Sequence, residues 1–396
     1  MFPHGNVGYD ATKYYQHLHS TDNNIEYNTV LRYYQQLIQI RPAASIPLHL
    51  YARLYQEYIC DQYSKVESWR LNYIRTHQKE LKGELYNGVI DFLHSHRNLN
   101  SIADVGHQYV ILPPSYVGGP RWYRERFLNG MNIINELGSA TFIGTMTCNP
   151  NWPEIHALLG ENETPMERID IVCRVFNQKK KELINDIFNL HKLGLNIAKI
   201  LAGEFQKRGL PHLHFLCILA ESDRPHTTID FDAIIRADLT DKNRKPILYK
   251  RVTTNHLHTC NLQCRDSETG LCRHNFPQSF CEETGYFPNG RVQWKRPEDA
   301  SAIFINPHFR LSPYRDTAVY DNRDVVPYNP ALLLKYDCHV FLDICASKMA
   351  SMHYLFVYLM KGEDRASLLL SHQSSVAAGI VNEDALCTSD LSMFGK

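Results

Sequence analysis

Two apolar stretches separated by a four-residue connector constrain the fold of this 396-residue chain more than any other feature. The stretches cover 196–206 and 211–220, and the connector between them reads Lys-Arg-Gly-Leu. Strands joined by so short a turn must run antiparallel, because parallel neighbours need a long crossover connection. We therefore predict a β-hairpin at this point of the chain.

Helical and strand-like patterns alternate around this hairpin, and together they predict an α+β fold. Strands are expected at 141–148, which is β-branched and apolar, and at 336–344. Apolar residues at helical spacing, bounded by proline or glycine, predict the surrounding helices. These helices are expected at 121–137, 165–193 and 346–361.

The same patterns divide the chain into three regions. Apolar residues recur at helical steps within 49–81, which has no proline or glycine, and predict a helical amino-terminal region over 1–100. The strand-bearing region is expected over 101–366, including a Cys/His-rich insert at 256–281. The remaining residues, 367–396, form a weakly patterned tail.

Charge and hydropathy exclude several classes of protein. The 42 Lys and Arg are balanced by 42 Asp and Glu, so the chain is not a uniformly basic nucleic-acid binder. No apolar run reaches the roughly 18 residues of a membrane span, so no membrane contact is expected. The first residues lack the charged and apolar regions of a secretory signal, which predicts a protein that is not secreted.

The second strand of the hairpin carries His212 and His214, which are expected to project from one face of the strand. Glu204 stands eight residues before His212, where a hairpin can bring it beside the pair. Two imidazoles and a carboxylate suit Mn²⁺, Mg²⁺ or Zn²⁺, and we expect such a site at the surface of the sheet. The alternative is a pair of half-exposed polar residues with no ligand.

Two tyrosines, Tyr354 and Tyr358, lie four residues apart on the predicted helix at 346–361, so they share one helical face. A tyrosine oxygen can attack a phosphodiester and form a covalent phosphotyrosine. Lys361 follows three residues later, where it can help to neutralise phosphate charge. Since the chain contains 23 tyrosines, the alternative is that both are core residues.

Four of the 11 cysteines cluster within 22 residues beside several histidines, a pattern that favours a metal site over disulfides. Four nitrogen and sulfur ligands complete a tetrahedral structural zinc site. We expect these ligands to be His258, Cys260, Cys264 and Cys272, with His256 and Cys281 as alternates and His274 in reserve.

Two segments of the chain are basic although the net charge of the whole chain is zero. The segment 174–208 has eight Lys or Arg against three Asp or Glu, and 241–251 has five against one. Basic side chains beside aromatic ones suit single-stranded nucleic acid, whose phosphates need charge and whose bases can stack. The alternative is a solvated helix face. The expected DNA-binding residues are Lys179, Lys180, Lys181, Arg121 and Arg124, the last two beside Trp122, Tyr123 and Arg126.

Five separated motifs resemble the Helitron helicase-like domain, the amino-terminal Rep-type nuclease region of Helitron rolling-circle transposases. They occur in the order of the family, and the resemblance extends from FPHGNVGYD near residue 1 to about residue 366. The motifs are YVILPPSYVGGPRW, GTMTCNPNWPEI, GEFQKRGLPHLHFL, DNRDVVPYNPALLLKYDCHV and YLFVYLMKGEDRA.

The resemblance implies an HUH endonuclease, with an antiparallel-sheet Rep-like core in which two histidines bind a divalent metal ion. On this basis His212 and His214 match the metal-binding pair, with Mg²⁺ or Mn²⁺ as the expected cation. Glu204 corresponds to the acidic third ligand of related viral Rep nucleases. The Cys/His cluster resembles a zinc-type insert of the same domain.

The resemblance also implies a reaction. Tyr354 and Tyr358 match the two-tyrosine motif that nicks single-stranded DNA at transposon ends and leaves a 5′-phosphotyrosine link, and Lys361 matches its trailing lysine. Nuclear localisation follows from the same resemblance. Family members continue into a helicase with a phosphate loop, and no G-x-x-x-x-G-K-[ST] occurs in these 396 residues, so the helicase activity is expected from a partner.

Two other functions remain open at the level of sequence. One is a catalytically inactive, zinc-containing DNA-binding remnant of a truncated transposase. The other is a metal-dependent hydrolase that uses a bound water molecule instead of tyrosine. Formation of a covalent protein–DNA adduct separates the tyrosine mechanism from both.

Overall fold

The chain divides into two compact units. The first is drawn from 1–122, 159–169 and 364–394, and the second from 123–158, 170–363 and 395–396. The structure is a computed structural model that describes residues 8–9, 29–39, 47–78, 112–206, 209–261, 264–266, 268–288, 290–299, 303–307, 317–345, 347–359, 366–369 and 388–391.

Helices and antiparallel strands are mixed along the described residues, so the α+β prediction is confirmed. The helices are α1 (Val30–Leu37), α2 (Ala52–Thr76), α3 (Pro120–Leu137), α4 (Pro153–His156), α5 (Ile169–Ile184), α6 (Thr228–Ile234), α7 (Pro246–Asn255), α8 (Pro330–Tyr336) and α9 (Lys348–Leu359). The strands are β1 (Phe142–Thr147), β2 (Asn196–Phe205), β3 (Pro211–Leu219), β4 (Gly285–Tyr286), β5 (Val292–Gln293), β6 (Phe304–Ile305), β7 (Val319–Tyr320), β8 (Val340–Ile344), β9 (Ala366–Leu369) and β10 (Thr388–Leu391). None of these described helices combines the length and the apolar character of a membrane span.

The first unit is built on α2, which accounts for most of the helical pattern seen at 49–81. A small apolar cluster of Val30, Tyr34 and Val66 joins α1 to this helix. The Tyr116 hydroxyl donates to the Glu67 carboxylate. Parts of the predicted amino-terminal region and tail, including 79–100 and 370–387, lie outside the described residues.

The second unit contains a four-stranded antiparallel sheet with the strand order β2-β3-β1-β8. The predicted hairpin is its first pair, joined by a turn between Phe205 and Pro211. All nine residues of β3 are buried, because this central strand has neighbours on both edges and both faces are covered. Side chains on β3 are therefore held more rigidly than those on the edge strand β2.

One face of the sheet carries an apolar layer contributed by α3 and α9. Ile134 and Leu216 form its buried centre, and Met131 and Tyr354 pack against them. The opposite face receives Phe188, whose ring lies edge-on to Phe215 at 6.5 Å between centroids. The sheet is thus enclosed between two layers. Helix α9 lies on the face of the sheet that carries His212 and His214.

The start of α9 is tied to the sheet by Ser351, which is completely buried. Its hydroxyl accepts a hydrogen bond from the backbone N–H of Ala140 at 3.1 Å. Tyr354 follows one helical turn later, so this bond sets how far α9 advances over the sheet. Gly144 makes close packing possible on the opposite face, because an added Cβ would come within 2.2 Å of the Phe215 ring.

Two predicted elements begin later than the sequence pattern indicated. The strand expected at 336–344 starts at Val340, because Asn329 caps α8 and Asp337 ends that helix in the left-handed conformation at φ 44°. The helix expected at 165–193 starts at Ile169, because Glu167 accepts from the N–H and hydroxyl of Thr164 and closes a turn before it. It ends in a π-helical turn, Asn185–Asn189.

Candidate metal and tyrosine site

The register of the sheet brings Glu204, His212 and His214 together. Glu204 lies directly opposite His212 in the β2–β3 pair, and directly opposed side chains share a face. His214 follows two residues later on the same face of β3. One ligand atom from each of the three residues lies within 4.8 Å of the others, a separation that one cation can bridge. The donor set of two imidazoles and one carboxylate fits a divalent cation.

Each histidine ring is held by hydrogen bonds. His214 Nε2 lies 2.9 Å from Glu204 Oε1, and His214 Nδ1 lies 2.8 Å from the Tyr354 hydroxyl. His212 Nδ1 lies 2.8 Å from the hydroxyl of Thr147, its neighbour across the β1–β3 pair. The two rings are 4.5 Å apart between centroids. The arrangement is therefore compact and oriented within the protein itself.

The expectation that this pair lies at the surface is wrong. His212 is 7% exposed and His214 is 4% exposed, because β3 is the central strand and α9 covers its histidine-bearing face. Burial, together with the neighbouring His214, lowers the pKa of His212 to about 3. His212 is therefore neutral at physiological pH, and a neutral imidazole is the form that binds a metal ion.

Tyr354 combines features of a core residue and of a site residue. Its ring packs against the apolar layer between α9 and the sheet. Its hydroxyl donates to the Gly144 carbonyl at 3.2 Å and also contacts His214. Tyr358 lies one turn later on the same helix, and its side chain is outside the described part of the structure, as is Lys361. The structure thus places one of the two predicted tyrosines at the histidine pair.

The Cys/His cluster forms a second group in the same unit. One ligand atom from each of His258, Cys260, Cys264 and Cys272 lies within 4.8 Å of the others. Cys272 Sγ is 3.3 Å from His258 Nε2. A short antiparallel bridge places Arg265 opposite Cys272 and so brings Cys264 to the other cysteines. The four residues chosen from spacing alone are the four that the fold brings together.

The electrostatics of this second group fit a cation. Burial and the neighbouring Cys272 raise the pKa of Cys260 to about 12. Burial also acts on Cys272, but the backbone N–H groups of Phe276 and His274 outweigh it and lower the pKa of Cys272 below its ordinary value. Three sulfur atoms this close cannot all be thiolates unless a positive charge neutralises them, and a bound metal ion would supply that charge.

The alternate ligands lie elsewhere. His256 is completely buried, accepts a hydrogen bond from the Val340 N–H at 3.1 Å and stacks on His339. Cys281 pairs through its backbone with Arg296. The ring centroid of His274 is 5.8 Å from that of His258, and His274 is exposed. Neither of the two groups of potential metal ligands found among the described residues includes these three.

The geometry agrees with a comparison against known families. Residues 33–217 match the family model of the Helitron helicase-like domain at the N-terminus. The predicted resemblance is therefore confirmed over this segment, which is somewhat less than half of the chain. No curated protein matches the chain.

The Helitron match relates this chain to transposases and to their interaction with DNA. It includes β1, β2 and most of β3, and with them Glu204, His212 and His214. It ends before the Cys/His group and before α9. The assignment of Tyr354 and the cysteines therefore depends on the geometry and on the motifs, and that of Tyr358 on the motif alone.

The predicted DNA-binding residues differ in how they are held. Lys179 pairs with the Glu154 carboxylate and lies over the Trp152 ring at 5.7 Å. Lys180 is half-buried and Lys181 is exposed on the same helix, α5. On the Helitron-matched helix α3, Arg121 is half-buried and Arg124 is exposed. Glu154 already compensates the charge of Lys179, which weakens the case for Lys179 as a phosphate contact.

Sequence reasoning missed Thr147 as part of the site. Its side chain faces His212 because the two residues are directly opposite in the antiparallel pair. The signal was present in the strand FIGTMT, where Thr145 and Thr147 alternate with apolar residues and so mark a polar face. Which strand that face would meet depends on the strand order, which the sequence pattern does not specify.

Proposed function

We propose that this protein is a metal-dependent endonuclease and strand transferase that nicks single-stranded DNA in Helitron rolling-circle transposition. The observation that carries the proposal is the group formed by Glu204 and the buried His212 and His214, with the Tyr354 hydroxyl 2.8 Å from His214. A tyrosine nucleophile and a divalent-cation site on facing elements are the parts that HUH nicking requires. The four-stranded antiparallel sheet between helices would then be the HUH core, within a nuclease domain over 101–366.

The chain's own residues account for the chemistry of the step. Glu204, His212 and His214 would hold a Mg²⁺ or Mn²⁺ ion, which would supply Lewis-acid polarisation of the scissile phosphate. The hydroxyl of Tyr354 or Tyr358 loses its proton, and its oxygen attacks phosphorus. A new O–P bond forms, the bond from phosphorus to the 3′ oxygen breaks, and that oxygen takes up, by way of solvent water, the proton that the tyrosine has given up. The 5′ end stays on the protein, and the reverse reaction joins strands.

Other parts of the chain would hold the DNA. Lys180, Lys181, Arg121 and Arg124, with a smaller contribution from Lys179, would neutralise phosphates. Lys361 would help to neutralise the reacting phosphate. The reaction would take place in the nucleus.

The second group would hold a structural zinc ion. His258, Cys260, Cys264 and Cys272 form a closed set of four ligands, which is typical of structural rather than catalytic zinc. His256, two residues before the Cys/His group, is linked to the sheet, because its ring accepts a hydrogen bond from the N–H of Val340 on β8 at 3.1 Å. Zinc at this position would stabilise the insert at 256–281.

The test is covalent capture of a labelled single-stranded oligonucleotide on a denaturing gel, at saturating Mn²⁺. We expect an adduct with the unsubstituted protein and none with the double variant Tyr354→Phe and Tyr358→Phe, because each change removes only the hydroxyl. Tyr328→Phe is the matched control, since this buried tyrosine donates to the Asp238 carbonyl.

Three outcomes would contradict the proposal. Cleavage without an adduct would favour the hydrolase that uses bound water. Binding of DNA without cleavage, under conditions where Mn²⁺ binds, would favour the catalytically inactive remnant. An adduct that persists in the double Phe variant would place the nucleophile on another residue.

A further inference from the structure

The two histidines of the site share one detail of their environment. In both rings the Nδ1 atom lies 2.8 Å from a hydroxyl, that of Thr147 for His212 and that of Tyr354 for His214. The two hydroxyls come from different elements, the strand β1 and the helix α9. The Nδ1 atoms of the two rings are thus held by hydroxyls from two different elements of the fold.

A hydroxyl partner at Nδ1 has a chemical consequence for Nε2. A neutral imidazole has one ring nitrogen with an N–H and one with a lone pair. The hydrogen-bond partner of one nitrogen therefore decides whether the other nitrogen presents the N–H or the lone pair. When Nδ1 carries the proton and donates it to a hydroxyl oxygen, Nε2 presents its lone pair. A ligand histidine in metalloproteins is oriented by such a contact on its second nitrogen.

The remaining contacts fit this arrangement once a cation is bound. His214 Nε2 lies 2.9 Å from Glu204 Oε1, and because a carboxylate only accepts, Nε2 donates to Glu204 when no cation is present. A cation bound between these two atoms would replace that proton and leave Nε2 with its lone pair. The Tyr354 hydroxyl has a second acceptor in the Gly144 carbonyl at 3.2 Å. It can therefore accept from His214 Nδ1 while donating its own proton to Gly144. Thr147 is likewise able to accept, because a hydroxyl oxygen has two lone pairs.

We propose that Thr147 and Tyr354 are positioning residues that hold Nδ1 of His212 and His214 and thereby dedicate Nε2 of both rings to a divalent cation. This inference rests on the proposed function, because it concerns the same metal site. It gives Tyr354 a role that is separate from nucleophilic attack, and it assigns a role to Thr147, which carries no other. It also explains why a core-packed tyrosine ring places its hydroxyl at a histidine.

The test measures Mn²⁺ affinity by calorimetry or electron paramagnetic resonance, without DNA. We expect Thr147→Val and Tyr354→Phe each to weaken Mn²⁺ binding about 10- to 100-fold, the range typical for loss of a ligand-orienting partner. Thr147→Ser keeps the hydroxyl and should restore the affinity to within about threefold. Tyr328→Phe, which removes a buried hydroxyl elsewhere in the unit, should leave it unchanged.

A second readout uses ¹⁵N NMR of the histidine rings in the Mg²⁺-loaded, unsubstituted protein. Protonated Nδ1 in both His212 and His214 supports the inference, and protonated Nε2 in either ring overturns it. This readout decides the question even where a variant fails to fold. Unchanged Mn²⁺ affinity in both Thr147→Val and Tyr354→Phe also overturns it.

The outcomes distinguish this inference from the proposed function. If the variants lose Mn²⁺ affinity but the unsubstituted protein forms no DNA adduct, the positioning role stands and the nicking function fails. If adducts form and the variants bind Mn²⁺ normally, the function stands and the positioning role fails. If the unsubstituted protein binds no Mn²⁺ at all, the positioning role and the metal-dependent step both fail.

Discussion

The two groups of potential metal ligands in the second unit are built on different kinds of structure. Glu204, His212 and His214 lie on adjacent strands whose backbone ladder sets their spacing. The Cys/His group lies on irregular backbone with only isolated bridges, such as that between Arg265 and Cys272. The first group is therefore oriented by the sheet, whereas the second depends on its ligands to hold the backbone.

The hydrogen bonds of the two groups show the same difference. In the first group Thr147, Tyr354 and Glu204 form hydrogen bonds with both Nδ1 atoms and with Nε2 of His214 without a cation. In the second group three thiols crowd together: burial and the neighbouring Cys272 raise the pKa of Cys260, whereas the pKa of Cys272 is lowered despite its burial, in part by the hydrogen bond from Cys260. Removing the cation should consequently cost the first group its activity and the second group its structure. A preorganised site suits catalysis, and a site that metal binding completes suits a structural role.

The largest expected effect is on the Cys/His group. Cys260→Ser with Cys264→Ser should reduce zinc from about one ion per chain to none, measured by elemental analysis. Because zinc binding is coupled to folding, the melting temperature should fall by about 10 °C or more. Cys60→Ser, at an exposed position on α2, is the control and should change neither quantity. Absence of zinc from protein purified without chelators would remove the contrast between the groups.

The next effect is on activity at the sheet site. His212→Ala with His214→Ala should abolish adduct formation, while Glu204→Ala should weaken Mn²⁺ use less than either histidine change. Since both histidines are buried, the double variant should also lose about 2 kcal/mol of unfolding free energy, measured in urea. The control His226→Ala, at an exposed position, should change neither adduct formation nor the unfolding free energy. Nicking that survives the double change would mean that the cation binds elsewhere.

The smallest expected effect is on stability in acid. The pKa of His212 is about 3 in the folded protein, against about 6.5 in an unfolded chain. Below pH 6.5 the unfolded chain therefore binds a proton that folded His212 does not, and stability falls as the pH is lowered. Between pH 7.5 and 5 this histidine alone should lower the unfolding free energy by about 2 kcal/mol.

The variant that isolates this contribution is His212→Gln. Protonation of the Cys/His ligands should destabilise both proteins in acid, so the difference between them reports on His212. We expect a shallower fall in unfolding free energy for His212→Gln, measured in urea without added Mg²⁺ or Mn²⁺. Equal slopes would show that His212 titrates normally and that the sheet site is wetter than its burial indicates.

The sequence predicted well those features whose residues lie close together along the chain. The hairpin followed from a short connector, and the four Cys/His positions followed from close spacing along the chain. The strand expected at 336–344 was less accurate, because Asn329 and Pro330 start a helix inside the same apolar run. An apolar run alone does not distinguish a buried strand from a short buried helix.

By itself, the sequence determined which residues could meet across one turn, because register in a hairpin follows from the connector. Glu204 opposite His212 is such a contact. Only the tertiary structure decided that Thr147 and Tyr354 hold the histidine rings, since those contacts join residues 65 and 140 positions apart. It also decided that the pair is buried. Burial depends on the position of β3 in the sheet and on the helix above it, and neither is encoded in the alternation of a single strand.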